Sequence, residues 1–448
     1  MAATRLAIVL WLALASVAAA EEPAPAQEPP AVQRDRRCEN PGDPRRLYFE
    51  CVGHDIDFLR QTLTRNLAGF RDVLRDLGIV PVASYTAQLL GNPTGGRSTG
   101  VSYAGTYALL LSWEAEKLVP VRGLSVNVGA AWSTGRDLSA DDVGNVFSVQ
   151  SAYTAPGGGT NNITLGPMYV QQVALDGALT LAVGRLSPAS TFATMPVLNH
   201  YVNDGVAANP GSLAVNDPIL ASYPPGVEWG AQGVYYLTPR LQVAAGIFDT
   251  SVPAAAGAHG GHDFRLQQGS RGVLSIAQAT YLLNHASTDA GLPGLYTLGG
   301  SYDSGRFQTL DEPAATETGL ANLYVMIQQM VHREGGPGSR RGLTVWAEAA
   351  LAPRSRVSAL PVFAGAGLSY RGLAAGRPDD VASLGAIHGR FSRHLPGTSA
   401  ETVIEANYGI AATPGLVITP TAQYVIRPAG SRRVPDALVL GVQATISF

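Results

Sequence analysis

Strict alternation across the end of the chain, Ala437 to Phe448, constrains this sequence more than any other feature. Leu438, Leu440, Val442, Ala444, Ile446 and Phe448 share one parity, and Ala437, Val439, Gly441, Gln443, Thr445 and Ser447 share the other. A period of two puts these sets on opposite faces of a strand, one apolar and the other mixed small and polar. An edge strand of a soluble sandwich can alternate in the same way, so a second signal is needed. The N-terminus supplies it. Arg5, the apolar run Leu6–Leu14 and the small residues Ala15–Ala20 read as an export signal over 1–20, with the cut expected after Ala20. That run is too short to span a bilayer, and no later stretch reaches the roughly 18 uninterrupted apolar residues of a spanning helix. An exported chain that ends on an alternating strand and a C-terminal Phe reads as a bacterial outer-membrane β-barrel.

Length alone would allow two or three soluble domains in 448 residues. The composition argues against that, with 51 Gly and only 15% charged residues, where soluble domains carry about 25%. Such a chain suits a barrel that shows apolar side chains to lipid and small or polar ones to its lumen. A net charge of −3 is too small to imply nucleic acid or a strongly charged ligand.

Sixteen strand-like segments follow Gly78: 78–90, 103–116, 124–134, 165–176, 178–187, 226–237, 239–249, 272–284, 293–304, 318–332, 342–352, 357–372, 381–394, 399–411, 415–427 and 436–448. Most are near the 9–11 residues a tilted strand needs to cross a membrane, and the number is even. With both termini in the periplasm, the outer connections include 91–102, 135–164, 188–225, 250–271 and 305–317, while Asp176-Gly177 and Thr238-Pro239 make tight periplasmic turns. Long loops outside and short turns inside is the outer-membrane pattern. Outward parity places Tyr103, Trp132, Trp229 and Tyr424 at outer strand ends and Trp113, Tyr235, Tyr370, Tyr408 and Phe448 at inner ends, as two interfacial girdles. The expected fold is all-β, a 16-stranded antiparallel transmembrane barrel over 78–448.

Residues 21–53 precede it as a Pro-rich linker and a short loop between Cys38 and Cys51. In an oxidising periplasm these two cysteines read as a disulfide worth about 3 kcal/mol. His54 is the sole nearby imidazole, so no metal site is expected. Over 54–77, Ile56, Leu59, Leu63, Leu67, Phe70, Leu74 and Leu77 recur at threes and fours opposite Arg60, Arg65, Arg71 and Arg75, with Asp55 or Asp57 as cap and Gly78 as stop. The apolar stripe predicts an amphipathic helix packed at the barrel mouth or periplasmic rim, or a plug.

Other motifs carry little chemistry. Gly157-Gly-Gly-Thr160 lacks the flanking strand and helix of a phosphate cradle. His259-Gly-Gly-His262-Asp263 reads as a polar loop, and no nucleophile elbow gathers Ser, His and Asp, so neither cofactor nor catalysis is expected. Selectivity must then come from whatever narrows the lumen. The connection 188–225 is the longest, aromatic and amide-rich through Phe192, Asn199, Tyr201 and Asn203, and loops of that length are usually functional. Inward parity adds Glu228, Gln232, Trp346, Glu348, Arg371, Glu405, Asn407 and Gln423 as wet, pore-lining or sugar-contacting candidates.

Several stretches resemble the carbohydrate-selective porin family, the OprB-like outer-membrane porins. They are Val183-Gly-Arg-Leu-Ser-Pro-Ala-Ser-Thr-Phe192, Tyr223-Pro-Pro-Gly-Val-Glu-Trp-Gly230, Gly365 to Asp380, Glu405-Ala-Asn-Tyr408, and Pro420-Thr-Ala-Gln-Tyr-Val-Ile-Arg-Pro428 running on into the last strand. The resemblance implies a sixteen-stranded pore that passes small sugars by diffusion. Arg185 has the parity of lipid-facing Leu181 and Val183; either a bulge turns it inward or it snorkels at the rim, and the family match points inward. The segments before 54 and the Ala/Gly-rich 250–271 depart from the pattern. Alternative readings are a general small-solute porin and a plugged structural or adhesion barrel. Outer-membrane lipid is the expected surrounding, nucleic acid is not a partner, and monomer and trimer both fit the sequence.

Overall fold

A computed structural model describes residues 62–63, 69–115, 119, 121–152, 162–207, 209–221, 226–250, 272–285, 289–336 and 339–448. The export signal, the linker, Cys38, Cys51 and most of the expected helix, 54–61 and 64–68, lie outside these residues. Sixteen antiparallel strands close into one barrel, each bonded to its sequence neighbours and the last to the first. They are β1 Ile79–Thr94, β2 Gly100–Glu114, β3 Leu124–Gly135, β4 Asn162–Ala174, β5 Leu179–Leu186, β6 Glu228–Thr238, β7 Leu241–Asp249 and β8 Val273–Leu283. The second half continues with β9 Gly294–Gln308, β10 Thr316–Arg333, β11 Gly342–Leu351, β12 Val362–Arg371, β13 Val381–Arg390, β14 Ala400–Thr413, β15 Leu416–Ile426 and β16 Ala437–Ser447.

Closure follows from the solvent. Hydrocarbon offers no partner to an unpaired N–H or C=O, so a sheet crossing it must have no edge. The alternating C-terminal strand supplies that closure, pairing with β1 from Ser84↔Ser447 to Thr94↔Leu438. Leu440 and Val442 are exposed on the outside while Ala437 and Val439 are buried inside. Tyr103, Trp113, Trp132, Tyr235 and Tyr424 stand on the outer face as expected, whereas Trp229, Tyr370 and Tyr408 are half-buried. All sixteen sequence segments find a strand. β12 starts at Val362 rather than 357, because Val357 and Ser358 donate back to the carbonyl of Arg354 in a turn. A register shift at Gly129, whose missing Cβ makes room for Pro167, flips the outward parity of β4 between Ile163 and Val170.

Alternate connections gather at alternate ends. The strand ends joined by the long connections 136–161, 187–227 and 250–272 share one end of the barrel; the other holds tight turns such as 239–240 and 414–415. At the short-turn end Leu63 N–H donates to Ser447 O at 2.9 Å. Gly415 (φ +80°) makes room there, since a Cβ would lie 2.2 Å from Leu63 N. Helix α1, Phe70–Asp76, precedes β1 and stops at Gly78, as the sequence predicts. Its facing departs from the expectation over the described residues, where Leu74 alone of the stripe is half-buried. Arg71 is buried, while Phe70, Val73 and Leu77 are exposed.

Candidate functional site: a loop seated inside the barrel

The described part of the connection, 187–207 and 209–221, does not lie over the mouth. It runs across the inner wall, and inward side chains of successive strands take hold of it. Gln232 of β6 donates to Thr191 Oγ1 at 2.8 Å. Gln278 of β8 accepts from Ala193 N–H and Gln328 of β10 accepts from Val197 N–H, both at 3.0 Å. Trp346 of β11 donates Nε1–H to the Tyr201 hydroxyl at 2.9 Å. Glu405 of β14 accepts from two consecutive backbone donors, Val202 at 2.8 Å and Asn203 at 2.9 Å. Gln423 of β15 accepts from Asn203 Nδ2 at 2.9 Å. Helix α2, Gly211–Asn216, is then tied to the β11–β12 connection by a reciprocal pair between Asn216 and Leu360, 2.8 Å each way.

A second inward segment, 136–152, reinforces the first. Glu401 of β14 accepts from Val146 and Phe147 N–H at 2.9 and 2.8 Å and from Ala429 N–H. Gln88 of β1 receives Ala152 N–H at 3.0 Å, and Asn203 Nδ2 bridges to Phe147 O at 3.1 Å. A carboxylate that takes adjacent N–H groups away from water forms charge-assisted bonds, stronger than neutral ones. Glycines shape the wall beneath. A Cβ on Gly385 would lie 2.8 Å from the Tyr201 ring, and one on Gly389 would lie 2.5 Å from Phe147. The inner face of β13 is therefore a trough into which these rings fit.

The structure brings Trp346, Glu405, Asn407 and Gln423 of the wall together beneath the loop and its Tyr201, all buried, with Asn407 Nδ2 donating to Glu405 Oε1 at 2.7 Å. Gln232 holds the other end of the same segment. The expectation that these wall positions are wet is overturned, because the loop covers them: Glu405 is 0% and Glu348 3% exposed. Neither oxygen of Glu348 has a hydrogen-bond partner among the described residues. Glu348→Met is therefore expected to stabilise the folded barrel by about 1–3 kcal/mol of relieved desolvation, read as a higher melting temperature. A lower melting temperature for the variant would count against this reading. Arg371, near the short-turn end, stays partly open and pairs with Asp379 at 3.6 Å.

Arg185 is 4% exposed although Val183, with the same parity, is 62% exposed. Gly184 between them has φ +144° and breaks the pleat. Glu228, across from Leu186 in the neighbouring strand, is also buried. Gln88, Gln278, Gln328 and Glu401 hold loops and escaped the sequence reading, though they share the inward parity that flagged the others. On its free side the loop shows Pro196 and Asn199, with Thr191, Thr194 and His200 partly open.

Burial pushes Asp217 up to about 7, the Asp303 charge adding to it, and burial with the Asp137 charge takes Asp204 to about 7. Burial and the Arg371 guanidinium lower His200 to about 4. An acid held above its free value favours the seated loop while protonated. That contribution is complete below 3.8 and is lost as pH rises through about 7. His200, held below its free 6.5, opposes seating as pH falls from 6.5 toward 4. Above 6.5 the carboxyls act alone among these three groups, so conductance is expected to rise between pH 6.5 and about 8 as the loop loosens. A flat conductance–pH curve across that window in planar bilayers would exclude the coupling.

A family model for the carbohydrate-selective porins, OprB family, matches residues 98–448. Porin B of Pseudomonas aeruginosa is 23% identical over 425 residues, covering 85% of this chain and 90% of that protein. A putative porin, QuiX, of Acinetobacter baylyi is 21% identical, covering 87% and 93%. Among solved structures, Pseudomonas putida OprB at high pH superposes with a TM-score of 0.78 at 24% identity, covering 87% of this chain and 98% of that one.

Proposed function

The chain belongs to the carbohydrate-selective porins of the OprB family, outer-membrane barrels through which sugars diffuse, and from that premise we propose that its sugars pass between the seated loop and the uncovered wall. The observation that carries this reading is the course of 187–203 across the bore, held from Gln232 to Gln423. A barrel of sixteen strands leaves an aqueous channel unless something fills part of it. Here the loop fills the side from β6 to β15.

The sequence candidates divide accordingly. Gln232, Tyr201, Trp346, Glu405, Asn407 and Gln423 position the loop, while Arg371 and the free-side Thr194, Asn199 and His200 meet solute. Hydroxyl, amide and guanidinium groups there offer hydrogen bonds to sugar hydroxyls, and a conducting site must hold them weakly. The long connections face outside and both termini face the periplasm, which short turns at the chain ends support. In that compartment Cys38 and Cys51 form the disulfide.

Liposomes containing the purified protein test the reading with a panel of neutral mono- and disaccharides and size-matched amino acids. Monosaccharides are expected to enter fastest. Equal rates for sugars and amino acids would make the barrel a general porin, and no entry at all a plugged structural barrel.

A further inference from the structure

We propose that the long-loop end of β13–β16 is a docking surface for the phosphate groups of outer-leaflet glycolipid. The inference rests on the orientation given above. Along the outward face of β13 the side chains run Leu384, Ala386, His388, Arg390 toward that end, all exposed. The neighbouring strand runs Ile404, Thr402, Ala400 beside them, and His388 Nδ1 lies 2.8 Å from Thr402 Oγ1. Apolar surface thus gives way to a polar imidazole and then a guanidinium group within two steps of the pleat, which is where hydrocarbon meets headgroup.

Further guanidinium groups stand in the two connections above. The 391–399 segment carries Arg393, and 427–436 carries Arg427, Arg432 and Arg433. Ser399 N–H donates to Gly430 O at 3.0 Å, and Thr398 bridges Ser431, so the two connections form one surface. Its two acids, Glu401 and Asp436, pair with none of these guanidinium groups. Glu401 is buried and faces inward, and Asp436 accepts the backbone N–H of Arg427 at 2.8 Å. Among the described residues none of the five guanidinium groups pairs with a carboxylate; Arg393 Nε donates to His394 Nε2 at 3.3 Å. Elsewhere at the same end Arg136, Arg354 and Arg356 do pair, with Asp141, Glu317 and Asp311. Five unneutralised cations at the edge of a low-dielectric slab repel one another unless anions join them. Guanidinium groups match phosphate with paired hydrogen bonds. An anionic solute drawn to the mouth would not explain His388 and Arg390 on the lipid face.

Native mass spectrometry of the full-length protein with bis-phosphorylated lipid A, dephosphorylated lipid A and inorganic phosphate tests the surface. Two variants accompany it: Arg390→Gln with Arg393→Gln, and Arg427→Gln with Arg432→Gln and Arg433→Gln. The wild type is expected to hold the phosphorylated lipid on the order of tenfold more tightly than the dephosphorylated one, and each variant to lose most of that preference. Unchanged sugar uptake by the variants shows that they fold. Equal affinity for the two lipids, or a preference that survives in the variants, overturns the proposal. Displacement of the lipid by millimolar inorganic phosphate also overturns it, leaving a free-anion site. Surface labelling of Ser431→Cys on intact cells tests the orientation separately. Label excluded while lipid A still binds in vitro would sink the orientation and keep the phosphate surface.

Discussion

Glu405→Ala is expected to widen the pore, raising single-channel conductance several-fold and erasing most discrimination between sugars and other small solutes. In the intact protein the two carboxylate oxygens receive Val202 and Asn203 N–H at 2.8 and 2.9 Å, with Asn407 and Thr421 completing the set. Removing the carboxylate strands two buried backbone donors at about 1–3 kcal/mol each. The strand ladder on either side of Glu405 is untouched, so the folded, heat-resistant band in unheated gels should persist. Glu405→Gln retains one acceptor oxygen and should fall between the two. Wild-type conductance in the alanine variant would show that the clamp does not set the aperture.

Gly385→Val should dislodge the same loop from the opposite side of the contact. The added Cβ would stand 2.8 Å from Tyr201 Cε1 and 2.9 Å from Trp346 Cζ2, inside the closest approach that carbon atoms tolerate. Neither ring can retreat while its hydrogen bonds hold. The Tyr201 hydroxyl lies 3.1 and 3.0 Å from the carbonyls of Leu368 and Leu384 and accepts from Trp346, and the two rings meet edge to face at 5.4 Å. Overpacking of this kind costs about 1–3 kcal/mol or more, and the loop is the part able to move. Proteinase K should then cut within 187–227, where the wild type resists, and conductance should climb as for Glu405→Ala. Gly336→Val, at a position with open space around it, serves as the control. Identical digestion patterns for the Gly385 variant and the wild type would refute the trough.

The barrel was legible because its signal is local. Alternation at Leu438, Leu440 and Val442 can be read without knowing any partner strand, and the same parity correctly pointed Trp346, Glu405 and Gln423 inward. What covers those residues was not legible. Glu405 meets Val202 across 203 positions of chain, and no spacing rule links a wall carboxylate to one dipeptide of a distant loop. A polar residue facing inward reads the same whether water or backbone fills the space before it. Arg185 shows a finer limit: one glycine, Gly184, with an unusual φ undoes the pleat on which the parity argument stands. The helix facing failed for a different reason. The apolar stripe of Phe70 and Leu77 was identified, but a stripe does not say whether its partner is protein or lipid.

The loop's one-sided anchorage separates two inheritances within the same chain. The sheet behaves as a rigid frame whose tolerances are set by the bilayer, and the segment from Thr191 to His200 behaves as an insert whose hidden edge is fastened and whose free edge is cut to size. Substitutions at Thr194, Pro196 or Asn199 can recut that edge without loosening a fastening. A lineage can therefore retune what it admits while its frame stays recognisable at 23% identity to a relative. Where a fastening itself changes, at Glu405 or in the glycine trough, the insert must be fitted anew.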